Sequence, residues 1–245
     1  MTKEKGKEMK EKVLRVTGSV LLAFVLLFSL AACGGSANTA GSSSAGDNGA
    51  SGTEDVSSQD TNSATAETDP LKDAVVGDVV SFGAYSWRVL AVEDGKVLLI
   101  TEDNVEARAY NDKDEDTTWE QCTLRGYLND GFITNNFSAA ESQRIVLTHV
   151  INDDHPQFGT PGGNDTDDRV FLLSVDEAER YFKDDNDRMT ADVWWLRSPG
   201  VFATGVAVVC GAGRGGIGGD GSISDFGIAL DSDNVGVRPA MWVSK

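Results

Sequence analysis

Apolar and polar side chains alternate along residues 79–101 in the pattern typical of half-buried strands. We predict three strands there, Val79–Phe82, Tyr85–Val92 and Lys96–Thr101. Glu93-Asp94-Gly95 is typical of a turn between the second strand and the third. The pattern therefore predicts an antiparallel meander at the start of the folded region.

Three capping boxes then predict three short helices, because in each a Ser or Thr precedes a Glu by three residues. They are Thr117-Thr118-Trp119-Glu120, Ser138-Ala139-Ala140-Glu141 and Ser174-Val175-Asp176-Glu177. The first helix would end at Asn129-Asp130-Gly131. The inward face of the first helix would carry Trp119, Cys122, Leu124, Tyr127 and Leu128. The inward face of the third helix would carry Ala178, Tyr181 and Phe182.

The remaining apolar runs indicate strands separated by Gly- and Asp-rich turns. Ile145–Ile151 and Val170–Leu173 look extended, with a polar loop between them at Asn152–Asp168. Further strands are predicted at Val193–Leu196, Val206–Cys210, Gly227–Leu230 and Gly236–Val243. Strands, then short helices, then strands again predict a single α+β domain with antiparallel sheets.

The N-terminal segment has the features of an export signal. Six basic residues lie within Lys3–Arg15, and an apolar run, Val20–Leu30, is short for a membrane span. Leu30-Ala31-Ala32-Cys33 resembles the lipobox of bacterial lipoproteins, which implies cleavage after residue 32 and a diacylglycerol on Cys33. We therefore expect a lipid-anchored protein on the extracytoplasmic face of the cell membrane. An uncleaved transmembrane helix is the alternative.

Composition divides the rest of the chain into a tether and a domain. Gly34–Asp69 has no aromatic and no basic residue, and Val56 is its one larger apolar side chain. Such a segment cannot offset the entropy of ordering, so residues 33–69 are predicted to be a disordered tether behind the lipidated cysteine. All five Trp and all five Pro fall within Pro70–Lys245, which suits one domain with a substantial core.

The charge excludes one class of partner. The chain carries a formal charge of −18, and loss of the first 32 residues, with six basic and three acidic side chains, makes it −21. A surface of that sign repels phosphate backbones, so nucleic-acid binding is not expected. Attachment to the membrane would depend on the lipid.

Several motifs together resemble the family of domains of unknown function numbered 6273. They are Gly77-Asp78-Val79-Val80-Ser81-Phe82-Gly83, Trp87-Arg88-Val89-Leu90, Phe171-Leu172-Leu173-Ser174, Trp194-Trp195-Leu196-Arg197-Ser198-Pro199-Gly200 and Gly236-Val237-Arg238-Pro239-Ala240. The resemblance covers Pro70–Lys245 and implies a C-type-lectin-like fold, distantly similar to that of formylglycine-generating enzymes. Fold similarity does not transfer a function.

The cysteines argue against an enzyme of that kind. The related oxidases rely on two neighbouring cysteines in the C-terminal part, whereas only Cys210 lies there and Cys122 belongs to the first helix. The two are 88 residues apart, and spacing alone cannot show that they pair. Two buried thiols are the preferred interpretation.

The C-terminal Gly-rich loop is the predicted binding region. Gly211-Ala212-Gly213-Arg214-Gly215-Gly216 matches a dinucleotide fingerprint, but Ile217–Ser222 cannot begin the helix that such a site needs. Loops on a rigid scaffold often carry ligand contacts, although a merely solvated hairpin is the alternative. The predicted ligand loop is Phe202–Asp225, and the predicted ligand-binding residues are Phe202, Thr204, Arg214, Asp220, Ser222, Asp225 and Phe226.

A metal site has weaker support than the Gly-rich loop. Asn164-Asp165-Thr166-Asp167-Asp168 and Asp184-Asp185-Asn186-Asp187 offer the oxygen ligands that calcium prefers, but neither fits an EF-hand. Asp168 could instead brace the following strand. The two histidines, His149 and His155, fit no zinc motif, and His149 is expected to be packed. We predict no required metal or cofactor and leave calcium open.

Two further groups are interpreted as structural. Trp194 and Trp195 are adjacent on a strand, so at most one of them can face a ligand. Trp242 is a third candidate for stacking on a carbohydrate. Arg197 and Arg238 are expected to pair with acids such as Asp192 or Asp231.

Together these observations predict non-catalytic recognition of a glycan, a wall polymer or a surface protein. A sulfatase-modifying-like oxidase and a structural envelope lipoprotein are the alternatives.

Overall fold

The computed structural model describes residues 69–213 and 219–245. The predicted signal peptide, nearly all of the predicted tether, the predicted lipidation site Cys33 and the predicted ligand-binding residue Arg214 lie outside these ranges. The described chain forms these elements in order: β1 (Val79–Phe82), β2 (Tyr85–Glu93), β3 (Lys96–Thr101), β4 (Glu106–Ala107), α1 (Thr123–Asn129), α2 (Gly131–Asn136), α3 (Ala139–Arg144), β5 (Thr148–Val150), β6 (Thr166–Asp168), α4 (Val175–Tyr181), α5 (Asp185–Arg188), β7 (Trp194–Pro199), β8 (Gly205–Val209), β9 (Ile223–Ala229), β10 (Gly236–Val237) and β11 (Ala240–Ser244).

Two main sheets and one small sheet organise these strands. The four-stranded sheet has the order β1-β2-β3-β11, and the five-stranded sheet has the order β4-β10-β7-β8-β9. All pairs are antiparallel except β10 with β7, and β5 pairs with β6 alone. The α+β class with mostly antiparallel sheets and a few short helices is confirmed.

The chain changes sheets at Arg238-Pro239, between β10 and β11. The prediction of a single continuous strand over Gly236–Val243 was therefore wrong. β10 pairs with β4 and β7, whereas β11 pairs with β3 in the other sheet. Proline has no N–H for a ladder, which suits the break between the two strands.

The core fills both faces of the central strands. Trp194 and Trp195 are both fully buried, because β7 lies in the middle of the five-stranded sheet and has both faces covered. Each indole N–H is satisfied, Trp194 donating to the carbonyl of Arg188 at 3.2 Å and Trp195 to that of Arg108 at 2.8 Å. Neither tryptophan is therefore available to stack on a ligand. Trp242 is also buried, with the Lys96 ammonium 4.3 Å from its ring centre.

The second and third capping boxes are confirmed. At Ser138 and at Ser174 the serine hydroxyl accepts from the Glu backbone N–H, and the Glu carboxylate accepts from the serine backbone N–H. These reciprocal bonds also lower the pKa of Glu141. Both helices thus begin where the sequence predicts.

The first capping box, Thr117–Glu120, does not begin a helix, so this prediction was wrong. α1 begins at Thr123, and Cys122 is its N-cap, with Sγ accepting from the N–H of Arg125 at 3.4 Å. The indole of Trp119 instead donates to Asp168 at 2.9 Å, which holds residue 119 in the preceding turn. α1 ends at Asn129 as predicted, but α2 follows at once from Gly131.

Several predicted strands differ from the observed ones. β6 lies inside the predicted loop Asn152–Asp168, and β9 begins at Ile223 instead of Gly227. Val170–Leu173 forms no strand and contacts β11 through a single bridge, Phe171 with Ala240. Short polar strands such as β6 depend on tertiary pairing more than on local apolar pattern.

The two described cysteines are free and buried, as preferred from the sequence. Burial raises the pKa of the Cys122 thiol to about 12. Among the helices in the described ranges, none has the length and apolar character needed to cross a bilayer.

Candidate functional site

A pocket of about 280 Å³ lies where four parts of the chain converge, and we call it the His155 pocket. The loop after β5, the start of α4, the end of β7 and the middle of β9 form its walls. Its lining includes Ile151–Pro156, Gly162, Ser174–Asp176, Arg197–Pro199 and Asp225.

The side chain of His155 is only 3% exposed and is held in one orientation. Its Nδ1 accepts from the backbone N–H groups of Gln157 and Phe158, both at 3.3 Å. The Phe158 ring packs edge-on against the imidazole at 5.1 Å. Because Nδ1 is the acceptor, the proton of the neutral ring lies on Nε2.

Among the residues that the structure describes, none is a hydrogen-bond partner of the opposite ring nitrogen of His155, Nε2. It lies 3.7 Å from Asp225 Oδ2, which exceeds hydrogen-bond length. Two more buried atoms without partners, Arg197 Nε and Asn152 Oδ1, belong to residues that line the same pocket. A buried polar atom without a partner costs about 1–3 kcal/mol, so their concentration here points to a binding site.

The loop that carries His155 is fixed by its own contacts. The backbone N–H of His155 donates to Thr160 O at 2.9 Å, and Thr160 Oγ1 donates to Val201 O at 2.8 Å. Gly162 packs so closely that an added Cβ would lie 2.4 Å from Asn152 O. The pocket wall is therefore pre-formed by side-chain and backbone contacts.

Arg197 supports the pocket from behind. Its Nη1 donates to Leu172 O at 2.8 Å and contacts the Glu177 carboxylate, while Nη2 donates to Ile151 O at 3.0 Å. The structural role is thus supported, but the predicted partners Asp192 and Asp231 were wrong. The charge of Arg197 is balanced by Glu177 at the start of α4.

The partners of Arg238 also differ from the acids that the sequence predicted. The guanidinium donates to the carbonyls of Thr101, Arg188 and Glu102 at 2.8, 3.2 and 2.9 Å. Burial lowers the pKa of Arg238 to about 10. This residue joins the two sheets and lies outside the pocket lining.

An exposed aromatic pair includes Phe226, the residue that follows the pocket residue Asp225 in β9. Phe202 and Phe226 are 59% and 62% exposed, and their rings meet nearly perpendicularly at 5.8 Å. The pairing of β8 with β9 shifts register between Val206 and Val208. This irregularity leaves consecutive residues, Asp225 and Phe226, both exposed, so a carboxylate and an aromatic ring occupy adjacent positions.

The structure divides the predicted binding residues into two groups. Asp225 lines the pocket, Phe226 follows it in β9 and contacts Phe202, and Thr204 is exposed in the turn before β8. Asp220 and Ser222 precede β9 at its far end, where the Ser222 carbonyl accepts from Cys210 N. Hydrogen bonds from Ser222 lower the pKa of Asp220.

Sequence reasoning missed the main contributors to the pocket. His155, Asn152 and Arg197 come from segments that lie far from β9 along the chain. The available signal was a lone histidine in a loop rich in Asp, Asn, Gly and Pro. Such loops carry function more often than the elements they connect.

The first acidic run does not form a shared metal site. Asp168 is fully buried and accepts hydrogen bonds from Arg125, Trp119 and Thr166, so it joins β6 to α1 and the turn before it and does not brace Val170–Leu173, which forms no strand. Asp167 lies on the other face of β6. Across residues 69–213 and 219–245, no group of three His, Cys, Asp or Glu side chains could hold a metal ion.

The partner of Asp167 is His149, which is exposed instead of packed. The two side chains meet at 3.0 Å with 64% and 66% of their surfaces exposed. The hydrogen bond that the His149 ring donates to the Asp167 carboxylate raises the pKa of His149. In the second acidic run, Asp184 caps α5 and Asp187 pairs with Arg88 at 2.7 Å.

Comparison with known proteins identifies the family. No curated protein and no solved structure matches the chain. The model of the domain of unknown function DUF6273 matches residues 94–245, more than half of the chain. The match includes β3 to β11 and every residue that lines the His155 pocket. This chain therefore belongs to the DUF6273 family.

Proposed function

We propose that this protein is a lipid-anchored extracytoplasmic lipoprotein whose domain recognises a glycan or wall polymer without catalysis. The observation that carries the proposal is the unpartnered Nε2 of His155, buried in a pocket and 3.7 Å from Asp225. The His155 pocket is the ligand site, and the exposed Phe202–Phe226 pair extends it.

The chemistry of the two facing groups favours a hydroxylated ligand. Nε2 of His155 donates, whereas the Asp225 carboxylate only accepts. A hydroxyl accepts from one group and donates to the other, and with normal bond lengths it can reach both across a gap of 3.7 Å. Sugars present many hydroxyls, and their apolar faces suit an exposed aromatic ring.

The contacts of His155 and the burial of both described cysteines favour binding over catalysis. The only lone pair of the His155 ring points at two backbone N–H groups, so the ring is poorly placed to take a proton as a general base. Burial raises the pKa of Cys122 to about 12, which disfavours its reactive thiolate. Cys210 is also buried and free, so the oxidase alternative lacks an accessible cysteine pair in the described domain.

The finer fold assignment is also part of the proposal. A C-type-lectin-like fold is supported by the antiparallel sheets, the few short helices, and a pocket formed by long irregular connections. In such an arrangement the sheets hold the loops, and the loops contact the ligand.

Replacing Cys33 by serine is expected to move the protein from the membrane fraction to the soluble fraction. The two acyl chains of a diacylglycerol give stable anchoring, and the acidic surface provides no electrostatic substitute. Fractionation of cells followed by mass spectrometry of the mature N-terminus measures both outcomes. A wild-type protein that keeps its first 32 residues and carries no lipid on Cys33 would instead support an uncleaved transmembrane helix.

The full chain, purified in detergent, is expected to bind a subset of an array of glycans and wall polymers. His155→Asn keeps an acceptor for the backbone N–H groups and removes the Nε2 donor, so affinity should fall at least about tenfold. Phe226→Ala should weaken binding as well, because it removes apolar contact area.

Val76→Ala is the matched control, since Val76 is also 62% exposed and does not line the pocket. It should bind as the wild-type chain does, and circular dichroism should show all variants folded. A folded protein that binds nothing on the array would contradict the proposal and favour a structural envelope role. Binding unaffected by His155→Asn would place recognition outside the His155 pocket.

A further inference from the structure

The rim of the His155 pocket is strongly acidic. Four of its lining residues are exposed aspartates: Asp153, Asp154, Asp176 and Asp225. In the described part of the chain no lysine lines the pocket, and the guanidinium of Arg197 contacts Glu177. The net potential at the entrance is therefore negative.

One of the four carboxylates is largely committed to the fold, and Asp225 is free to meet a ligand. Asp154 Oδ1 accepts from the backbone N–H of Gly162 at 3.0 Å, which holds the loop. The side chain of Asp225 is 63% exposed, and the His155 ring is the basic group found beside its carboxylate among residues 69–213 and 219–245. An exposed carboxylate beside a buried donor can pair with a cation of the ligand while the donor binds a hydroxyl.

We infer that the His155 pocket prefers saccharides carrying a free amino group to the same saccharides in N-acetylated or anionic form. The inference rests on the proposed glycan-binding function and adds the charge class of the ligand. A protonated amine near the rim is attracted by several carboxylates at once, whereas an amide is neutral. Carboxylate or phosphate groups on a polymer would be repelled.

The test compares oligomers of glucosamine and of galactosamine with their N-acetylated forms, using the full chain in detergent at mildly acidic pH. Calorimetry is expected to show at least about fivefold tighter binding of the free-amine form of one sugar, since each exposed ion pair contributes modestly. Raising the salt concentration to about 1 M should reduce the preference to below about twofold, because the Debye length falls to about 3 Å.

Asp225→Asn removes the charge and keeps a hydrogen-bond acceptor. It should lower affinity for the amine form at least about twofold and leave that for the N-acetylated form unchanged. Asp233→Asn, an exposed aspartate outside the pocket lining, is the control and should preserve the preference.

Each outcome separates charge selection from simple recognition. A preference for the amine form that survives high salt and Asp225→Asn would be steric, and it would overturn the inference. Equal binding of both forms, or binding of neither form, would overturn it too. The proposed function would still stand if other glycans on the array bound through His155.

Discussion

Replacing Asp168 by alanine is expected to lower the free energy of unfolding by about 3–5 kcal/mol. The Asp168 side chain is fully buried and accepts from Trp119 Nε1 at 2.9 Å, Arg125 Nε at 2.7 Å and Thr166 Oγ1 at 2.7 Å. Its removal leaves a partly buried guanidinium and a buried indole N–H without their acceptor. Urea unfolding followed by far-UV circular dichroism measures the loss.

Asp167→Ala is the matched control on the same strand. Asp167 faces the opposite side of β6 and pairs with His149, and both of those side chains are mostly exposed. Exposed ion pairs contribute little, so this variant should unfold close to the wild-type midpoint. Similar losses for the two variants would show that β6 is stabilised by its pairing alone and not by the buried carboxylate.

Replacing Gly221 by alanine is the second substitution with a large expected effect. Gly221 has a φ of +76°, and an added Cβ would lie 1.8 Å from the carbonyl oxygen of Asp185. The positive φ costs an L-residue about 1–2 kcal/mol, and the forced backbone shift adds about 1–3 kcal/mol. The shift would also disturb the bond from Arg188 Nε to Gly221 O at 3.2 Å.

Gly77→Ala separates these two contributions. Gly77 has a φ of +93°, but no atom of the described residues lies within 4 Å of its added Cβ. It should lose only the conformational part, about 1–2 kcal/mol, in the same thermal or urea unfolding measurement. Equal losses at the two positions would mean that the contact with Asp185 relaxes without cost.

The meander and the two confirmed capping boxes were predictable because their signals are local. β1 and β3 have the predicted bounds, and Ser138 and Ser174 begin their helices as expected. A capping box needs only four consecutive residues. Distant contacts had little influence on these elements.

The first helix shows where local signals fail. Thr117-Thr118-Trp119-Glu120 has the same pattern, yet the Trp119 indole donates to Asp168, 49 residues away. A buried N–H that finds a carboxylate gains more than the first turn of a helix provides. The competing partner could not be identified from spacing.

The candidate site was predicted only in part for the same reason. Asp225, which lines the pocket, was among the predicted residues because aromatic and acidic residues in a Gly-rich region suggest a binding loop. His155 was dismissed, since a lone histidine has no recognisable spacing. Its significance depends on the unpartnered Nε2 and on a neighbour 70 positions further along the chain.

The sequence by itself determined the α+β class, the acidic charge and the first residues of two helices. It also determined the change in composition near residue 70, from small polar residues to a region with all the tryptophans. These depend on composition and on patterns a few residues long. Only the tertiary structure decided that β7 is buried on both faces, that the chain changes sheets at Arg238-Pro239, and that four distant segments form the His155 pocket. Those outcomes follow from long-range packing and hydrogen bonding, in which each partner is selected by all the others.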